Sequence, residues 1–203
     1  MTNNDINMNN QVTISGEIAS GFNFSHEIFG EKFYFVNINV QRISNTYDLI
    51  PVMVSDRLVD TSVDYTGRFA FVTGQFRSCN KHNGEKNRLI LSVFAREFDF
   101  IEEDSNENSI YLDGYVCKEP VYRETPLGRE ISDLLVAVNR AYGKSDYIPC
   151  IAWGRNARFA SSFEVGKRIQ IWGRVQSREY KKKISENETE TRVAYEISAS
   201  KLV

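Results

Sequence analysis

Histidine, cysteine and proline are all scarce in this sequence, and each shortage closes off a class of function. The two histidines and three cysteines contain no C-x-x-C and no recognisable zinc-ligand set, so neither a metal nor a cofactor is expected. Cys79, Cys117 and Cys150 cannot all pair, which suits a reducing cytoplasm better than an oxidising compartment. No apolar run reaches the ~18 residues of a membrane span, so a membrane is not an expected partner. The opening MTNNDINMNNQ has no basic residue and no apolar stretch, and it is no signal peptide. Residues 1–10 read as a disordered lead-in. A phosphate-cradling glycine loop, a histidine beside a candidate nucleophile and clustered carboxylates are all missing, so no catalytic residue is expected.

Charge is nearly balanced overall, at −2, which argues mildly against a nucleic-acid partner. The two halves differ, however. Residues 1–108 carry 9 Lys and Arg against 15 Asp and Glu, whereas residues 109–203 carry 16 against 12. That asymmetry coincides with an internal duplication. Gly16 and Gly114, Gly30 and Gly128, Val40 and Val138, Arg42 and Arg140, and Pro51 and Pro149 all stand 98 apart. After a one-residue slip, Gly67 matches Gly166, Gly74 matches Gly173 and Ser78 matches Ser177. A repeat of this length marks two copies of one folding unit. The units span 11–102 and 109–203, and the acidic, aperiodic residues 103–108 form the linker.

Each unit reads as mainly β. VTISGEI and IYLDGYV alternate around a glycine, and KFYFVNINVQR and EISDLLVAVNR alternate over about ten residues. LIPVMVS and YIPCIAW follow, with proline near the strand start, where a missing N–H does least harm. A short helix is expected next: NARFASSFEV, closed by Gly166 at C′, with DRLVDTSVDYTG ending likewise at Gly67. Two further long strands complete each unit. Five strands with a helix after the third form a small Greek-key barrel, the OB-fold. The fold class is therefore all-β, two tandem OB-folds. Interior glycines at Gly16, Gly74, Gly114 and Gly173 suit strands that coil round a barrel.

Along YIPCIAW, residues two apart share a face. Tyr147, Ile151 and Trp153 point one way; Ile148, Cys150 and Ala152, small and apolar, point the other. On the following strand Trp172, Arg174, Gln176, Arg178 and Tyr180 share a face, while Ile169, Ile171 and Val175 have the opposite parity. A basic face with aromatics is what a single-strand groove requires: bases stack on rings and cations follow the phosphates.

The second unit resembles the bacterial single-stranded DNA-binding protein (SSB) family. The resemblance rests on Gly114, Glu119-Pro120, Arg123, Thr125-Pro126, Gly128, Ala137 to Arg140, Trp153-Gly154-Arg155, Ala157, Lys167 and Gly173-Arg174. The first unit, through IPVMVSD and GQFRSCNKHNGEKNRLILS, is more similar to the SSB-derived primosomal protein PriB. The resemblance implies sequence-independent binding of single-stranded DNA in replication, recombination or repair, mainly by the second unit. It implies a homodimer presenting four OB units, a cytoplasmic, nucleoid-associated location, and replication or primosome proteins as further partners. The family's four stacking positions fall on Tyr142, Tyr147, Trp153 and Tyr180. Their first-unit equivalents are Ser44, Leu49, Ser55 and Lys81, none aromatic. Arg123, Arg129, Arg155, Arg174, Arg178, Lys181 and Lys182 are the expected phosphate contacts. Trp172 and the first-unit set Arg77, Lys81, Lys86 and Arg88 are secondary candidates, and Trp172 equally suits a subunit contact. Phe22, Phe24, Phe29, Phe33 and Phe35 are expected in the core or at an interface.

The alternative is a PriB-like or protein-interaction module with weak or no DNA binding, favoured by the acidic total charge, the missing tail and the stripped first unit; three departures from the family pattern stand out. The first unit lacks the stacking aromatics. The chain ends SASKLV, without the acidic recruiting tail of the family. Pro149 occupies the binding face where a polar or basic residue is usual.

Overall fold

The computed structural model describes residues 8–44, 46–83, 86–183 and 189–203; of residues 80–83 and 86–88 it describes the backbone alone. Residues 1–7, most of the expected lead-in, lie outside the described residues. The chain forms two OB barrels in tandem. The first contains β1 (Asn10–Ile18), β2 (Asn23–Ile28), β3 (Glu31–Gln41), β4 (Tyr47–Ser55), β5 (Phe69–Asn83) and β6 (Lys86–Ile101). The second contains β7 (Asn108–Val116), β8 (Val121–Glu124), β9 (Glu130–Asn139), β10 (Ser145–Trp153), helix α1 (Arg155–Ala160), β11 (Arg168–Lys183) and β12 (Thr189–Leu202). Each barrel closes in the same two ways. Its first strand pairs antiparallel with two partners, β3 and β5 for β1, β9 and β11 for β7. Its fourth strand pairs parallel with its last, β4 with β6 and β10 with β12.

Two expectations need correction. A helix follows the fourth strand only in the second unit. In the first, the carboxylate of Asp60 accepts from the N–H and hydroxyl of Ser62, and that of Asp64 accepts from the N–H and hydroxyl of Thr66. These local bonds engage backbone donors in turns and compete with helix formation. In the second unit α1 ends at Ala160, so Gly166 does not cap it; with φ +89 it sits in the turn that leads into β11. Each unit also has one strand more than expected, β2 or β8. Both are short, largely exposed edge strands without apolar alternation, so they left no periodic signal.

Strand alternation builds the core as the sequence implies. Val36, Ile38 and Val40 on β3, Val136 and Val138 on β9, and Ile169, Ile171 and Val175 on β11 are all buried. The four interior glycines sit where a strand passes over its neighbour. A Cβ on Gly16, Gly74, Gly114 or Gly173 would come within 3.0 Å of the carbonyl oxygen of Asn39, Phe94, Ala137 or Ser198 respectively. Only glycine lets the two backbones approach this closely.

The two units join as quasi-equivalent halves. β1 and β7 pair antiparallel, with Val12 opposite its own repeat partner Ile110. Side chains repeat this relation. Asn10 brackets Phe76 with bonds to its N–H and carbonyl, and Asn108 does the same to Val175. Two buried aspartates then latch each unit to the other. Asp48 accepts from the N–H (2.6 Å) and hydroxyl (2.7 Å) of Ser177 across the seam. Its repeat partner Asp146 accepts from the N–H of Ser78 at 2.7 Å.

Candidate nucleic-acid interface

β10 sets the direction of the site. Asp146, Ile148, Cys150 and Ala152 are buried, and Tyr147 and Trp153 project outward. Ile151 shares their parity but is itself buried, flanked by Asp133 on β9 and Ser198 on β12. The four stacking candidates all carry open ring surface: Tyr142 is 99% exposed, Tyr147 49%, Trp153 38% and Tyr180 38%. Such exposure is unusual for large rings, whose burial is normally a main source of stability.

Local structure holds each ring differently. Tyr142 stands at the tip of the β9–β10 connection, a 3-10 turn over Ala141–Gly143, with φ 61 in the left-handed region. A tyrosine there is strained, and the strain presents the ring to solvent. Trp153 is anchored by its indole N–H, which donates to the Ser198 hydroxyl at 3.2 Å. Tyr147 is fixed through its backbone: its N–H donates to Ser78 Oγ of the first unit at 2.8 Å. Tyr180 lies on β11 opposite Arg192.

Tyr147 and Tyr180 both face the seam between the units. Tyr147 lines a groove of about 550 Å³ with Arg140, Lys144, Ser78 and Leu89. Tyr180 lines another, of about 600 Å³, with Pro149, Arg192, Pro51, Phe35 and again Leu89. Two of the four candidate rings therefore stand beside residues of the first unit, among them Leu89 and Phe35, which the sequence did not single out for this face. Pro149, an anomaly on the expected face, is half-buried in this seam near its repeat partner Pro51.

The cations divide into paired and unpaired groups. Arg123 is committed to Asp133 at 2.9 Å, and Arg178 approaches Glu196 at 3.6 Å. Arg129, Arg155, Arg174, Lys181 and Lys182 make no ion pair among the described residues, and all but the half-buried Arg174 are exposed. Trp172 stands apart from the four rings, half-buried against Tyr111 at 5.0 Å with the Lys201 ammonium 4.6 Å from its centroid. Of the first-unit basic set, Arg77 is half-buried, and its desolvation lowers its pKa to about 10, helped by repulsion from Arg140. The side chains of Lys81, Lys86 and Arg88 lie outside the described residues. No group of three or more His, Cys, Asp or Glu capable of holding a metal occurs among the described residues. Among the described residues no helix is long and apolar enough to cross a membrane.

The first unit is not bare on this side. Tyr47 is 60% exposed on β4, with exposed Leu49 two residues on. Its parity with Leu49 was a usable signal, hidden because the ring stands two residues before the position where the second unit has one. The phenylalanines also separate. Phe22 packs on the core and against Tyr65, whereas Phe24 and Phe29 are exposed, Phe29 with φ 50.

Residues 107–202 match the model of the single-strand binding protein family. That match takes in the second unit and leaves out the first. Among curated relatives, the single-stranded DNA-binding protein of Clostridium tetani is 34% identical over 37% of this chain and 57% of its own length. Single-stranded DNA-binding protein A of Bacillus subtilis is 32% identical over 36% of this chain and 46% of its own length. The chain thus spans about half the length of the curated relatives it matches. The wild-type single-stranded DNA binding protein of Thermus aquaticus, a crystal structure, superposes with TM-score 0.76 over 96% of this chain and 91% of its own, at 20% identity. At that identity the likeness speaks for the fold: both barrels and their arrangement in one chain recur.

Proposed function

We propose that the protein binds single-stranded DNA irrespective of base sequence, mainly through the second unit, and does no chemistry on it. Four exposed rings at four stacking positions carry this reading. Bases stacking on Tyr142, Tyr147, Trp153 and Tyr180 would each contribute about 1–3 kcal/mol. Arg129, Arg155, Arg174, Lys181 and Lys182 take the phosphates, with Arg123 and Arg178 joining by exchanging their carboxylate partners. Strand exposure during replication, recombination or repair supplies the ligand. A homodimer of four OB units belongs to the same proposal, and the half-buried Tyr111–Trp172 pair on β7 and β11 is where we place the contact between copies.

The test is titration with oligo(dT), followed by tryptophan fluorescence. Trp172→Phe leaves Trp153 as the sole reporter of the two tryptophans. Strong quenching that weakens with salt is the expected result. By anisotropy of dye-labelled oligo(dT), which needs no tryptophan, Trp153→Ala and Tyr147→Ala should each lower affinity roughly fivefold to a hundredfold; a change under about twofold in both defeats the proposal. The competing reading, a PriB-like protein-interaction module, draws on the exposed apolar residues Phe24, Ile28 and Phe29 on the β2–β3 hairpin. It predicts no quenching at low salt.

A further inference from the structure

Residues 139–147 carry two of the four candidate rings, Tyr142 and Tyr147, and the first unit grips this segment at both ends. At the far end the Ser78 hydroxyl, on β5, accepts the Tyr147 N–H at 2.8 Å, and the Ser78 N–H donates to the Asp146 carboxylate at 2.7 Å. At the near end Asn9, just ahead of β1, donates its side-chain N–H to the Asn139 carbonyl at 2.7 Å. Between these grips the turn closes on itself: the Arg140 N–H donates to the Lys144 carbonyl at 2.7 Å, and Arg140 Nε stands 3.3 Å from the Asp146 carboxylate.

The repeat supplies an internal comparison. In the first unit the matching segment is residues 41–49, with Ser44 and Leu49 at the two ring positions. Its backbone setting is the same. The Asp113 N–H donates to the Asn9 carbonyl, and that of Ser15, the repeat partner of Asp113, donates to the Glu107 carbonyl, each at 2.8 Å. The side chains diverge. Glu107 is the counterpart of Asn9, and its carboxylate accepts from the Ser109 hydroxyl; it has no N–H to give to the Gln41 carbonyl. Ser177, the counterpart of Ser78, turns its hydroxyl to the Asp48 carboxylate at 2.7 Å, whereas the Ser78 oxygen takes the N–H of the ring-bearing residue itself. The two side-chain grips on backbone are made on the segment that bears the rings.

We infer that the first unit is a brace for the stacking site of the second, with Ser78 and Asn9 as positioning residues for Tyr147 and Tyr142. The inference rests on the proposed binding by the second unit. Tyr142 is almost fully exposed and held at φ 61, a backbone state that persists only where the surroundings impose it. Its ring is free of packing, so the restraint comes from the ends of the segment. A ring already fixed in its stacking pose loses less freedom when a base arrives, and anchoring therefore raises affinity without adding a contact to the strand. The first unit thereby sets the affinity of a site whose four rings all lie in the second.

The test measures the affinity of the full chain for dye-labelled oligo(dT) by anisotropy, with urea midpoints establishing that each variant is folded. Ser78→Ala and Asn9→Ala should each weaken binding about three- to tenfold, the range that one restraining hydrogen bond spans. The loss should depend on the ring: Ser78→Ala made in Tyr147→Ala, and Asn9→Ala made in Tyr142→Ala, should each change affinity less than about twofold. Ser78→Cys keeps the volume and offers only a weak acceptor, so it repeats the first measurement without a cavity. Ser15→Ala is the control. That buried hydroxyl donates to Asp104 at 2.6 Å and accepts from the Glu107 N–H at 2.8 Å. Its removal should lower the urea midpoint and leave affinity within about twofold. Folded variants that bind like wild type, a loss that persists without the ring, or an equal loss in Ser15→Ala overturns the inference and leaves the second-unit reading intact. Failure of wild-type protein to bind overturns both.

Discussion

Asp48 and Asp146 hold repeat-related positions, yet replacing each with asparagine should have very different consequences. The Asp48 carboxylate is buried and accepts four hydrogen bonds: Arg42 Nε and Nη2, and the N–H and hydroxyl of Ser177. An amide there must turn an NH2 toward donors. Breaking a buried charged pair costs about 3–5 kcal/mol, and because Arg42 retains 30% exposure and can rehydrate, the lower end applies, about 3 kcal/mol. For a chain of this size that corresponds to a fall in Tm of roughly 6–12 °C. Asp146 differs. Its Oδ1 receives Ser78, but its Oδ2 has no hydrogen-bond partner among the described residues, with Arg140 Nε 3.3 Å away. An asparagine can keep the Ser78 bond, and it gives up one long contact to Arg140 (3.3 Å) where Asp48→Asn disrupts a two-bond guanidinium pair, so Asp146→Asn should cost about 1–2 kcal/mol. The pH dependence follows the same division. Burial pushes the Asp48 carboxyl up, but its bonds to Arg42 and Ser177 outweigh that and leave it below its ordinary value. Its contribution is present above the unfolded-state value of about 4 and is lost as pH falls through the lower folded value. Burial raises the Asp146 carboxyl, and Ser78, Arg140 and Arg77 offset this only in part. Its contribution is present below about pH 4 and is lost as pH rises through the raised folded value. Urea denaturation of both variants at pH 7 and pH 4 measures this. Equal losses at pH 7, or a loss below about 1 kcal/mol for Asp48→Asn, would refute the reasoning.

Three further predictions concern the scaffold and the ligand. Gly114→Ala places a methyl within 3.0 Å of Ala137 O and Val136 Cγ1 and should destabilise by about 2–4 kcal/mol; Gly21→Ala meets nothing within 4 Å and should be neutral or stabilising by up to about 1 kcal/mol. Thermal melts of the pair check both. Phe29, fully exposed with φ 50 at a hairpin tip, should gain roughly 0.5–1 kcal/mol on replacement by asparagine, which tolerates the left-handed region; an unchanged urea midpoint would show that the strain is absorbed elsewhere. Oligo(dT) affinity should fall with salt, and Lys181→Gln with Lys182→Gln should reduce the log–log slope by about 1.4, near 0.7 per phosphate on a single strand. An unchanged slope places the phosphates elsewhere.

Much of the scaffold was legible in the sequence because it depends on short-range rules. Alternation assigned Ile148, Cys150 and Ala152 to the barrel interior and Tyr147 and Trp153 to its exterior, as the structure has them. The interior glycines stood out because a strand tolerates them only for a reason. The first-unit helix was misread because apolar spacing alone does not register Asp60 and Asp64 taking backbone donors for their own turns. β2 and β8 escaped because an exposed edge strand needs no apolar period.

What the sequence by itself determined was the repeat, the barrel strands and which residues of the second unit point outward, since these follow from residue spacing along one strand. Only the tertiary structure decided what stands beside what. The pairing of Ser55 with Phe33 where the second unit pairs Trp153 with Ile131, the seam that brings Phe35 and Leu89 to Tyr180, and the unequal bonding of Asp48 and Asp146 all depend on neighbouring strands and on the partner unit. The physical reason is that a strand's side-chain direction is set locally by its pleat, whereas its neighbours are set by register between segments far apart in the chain.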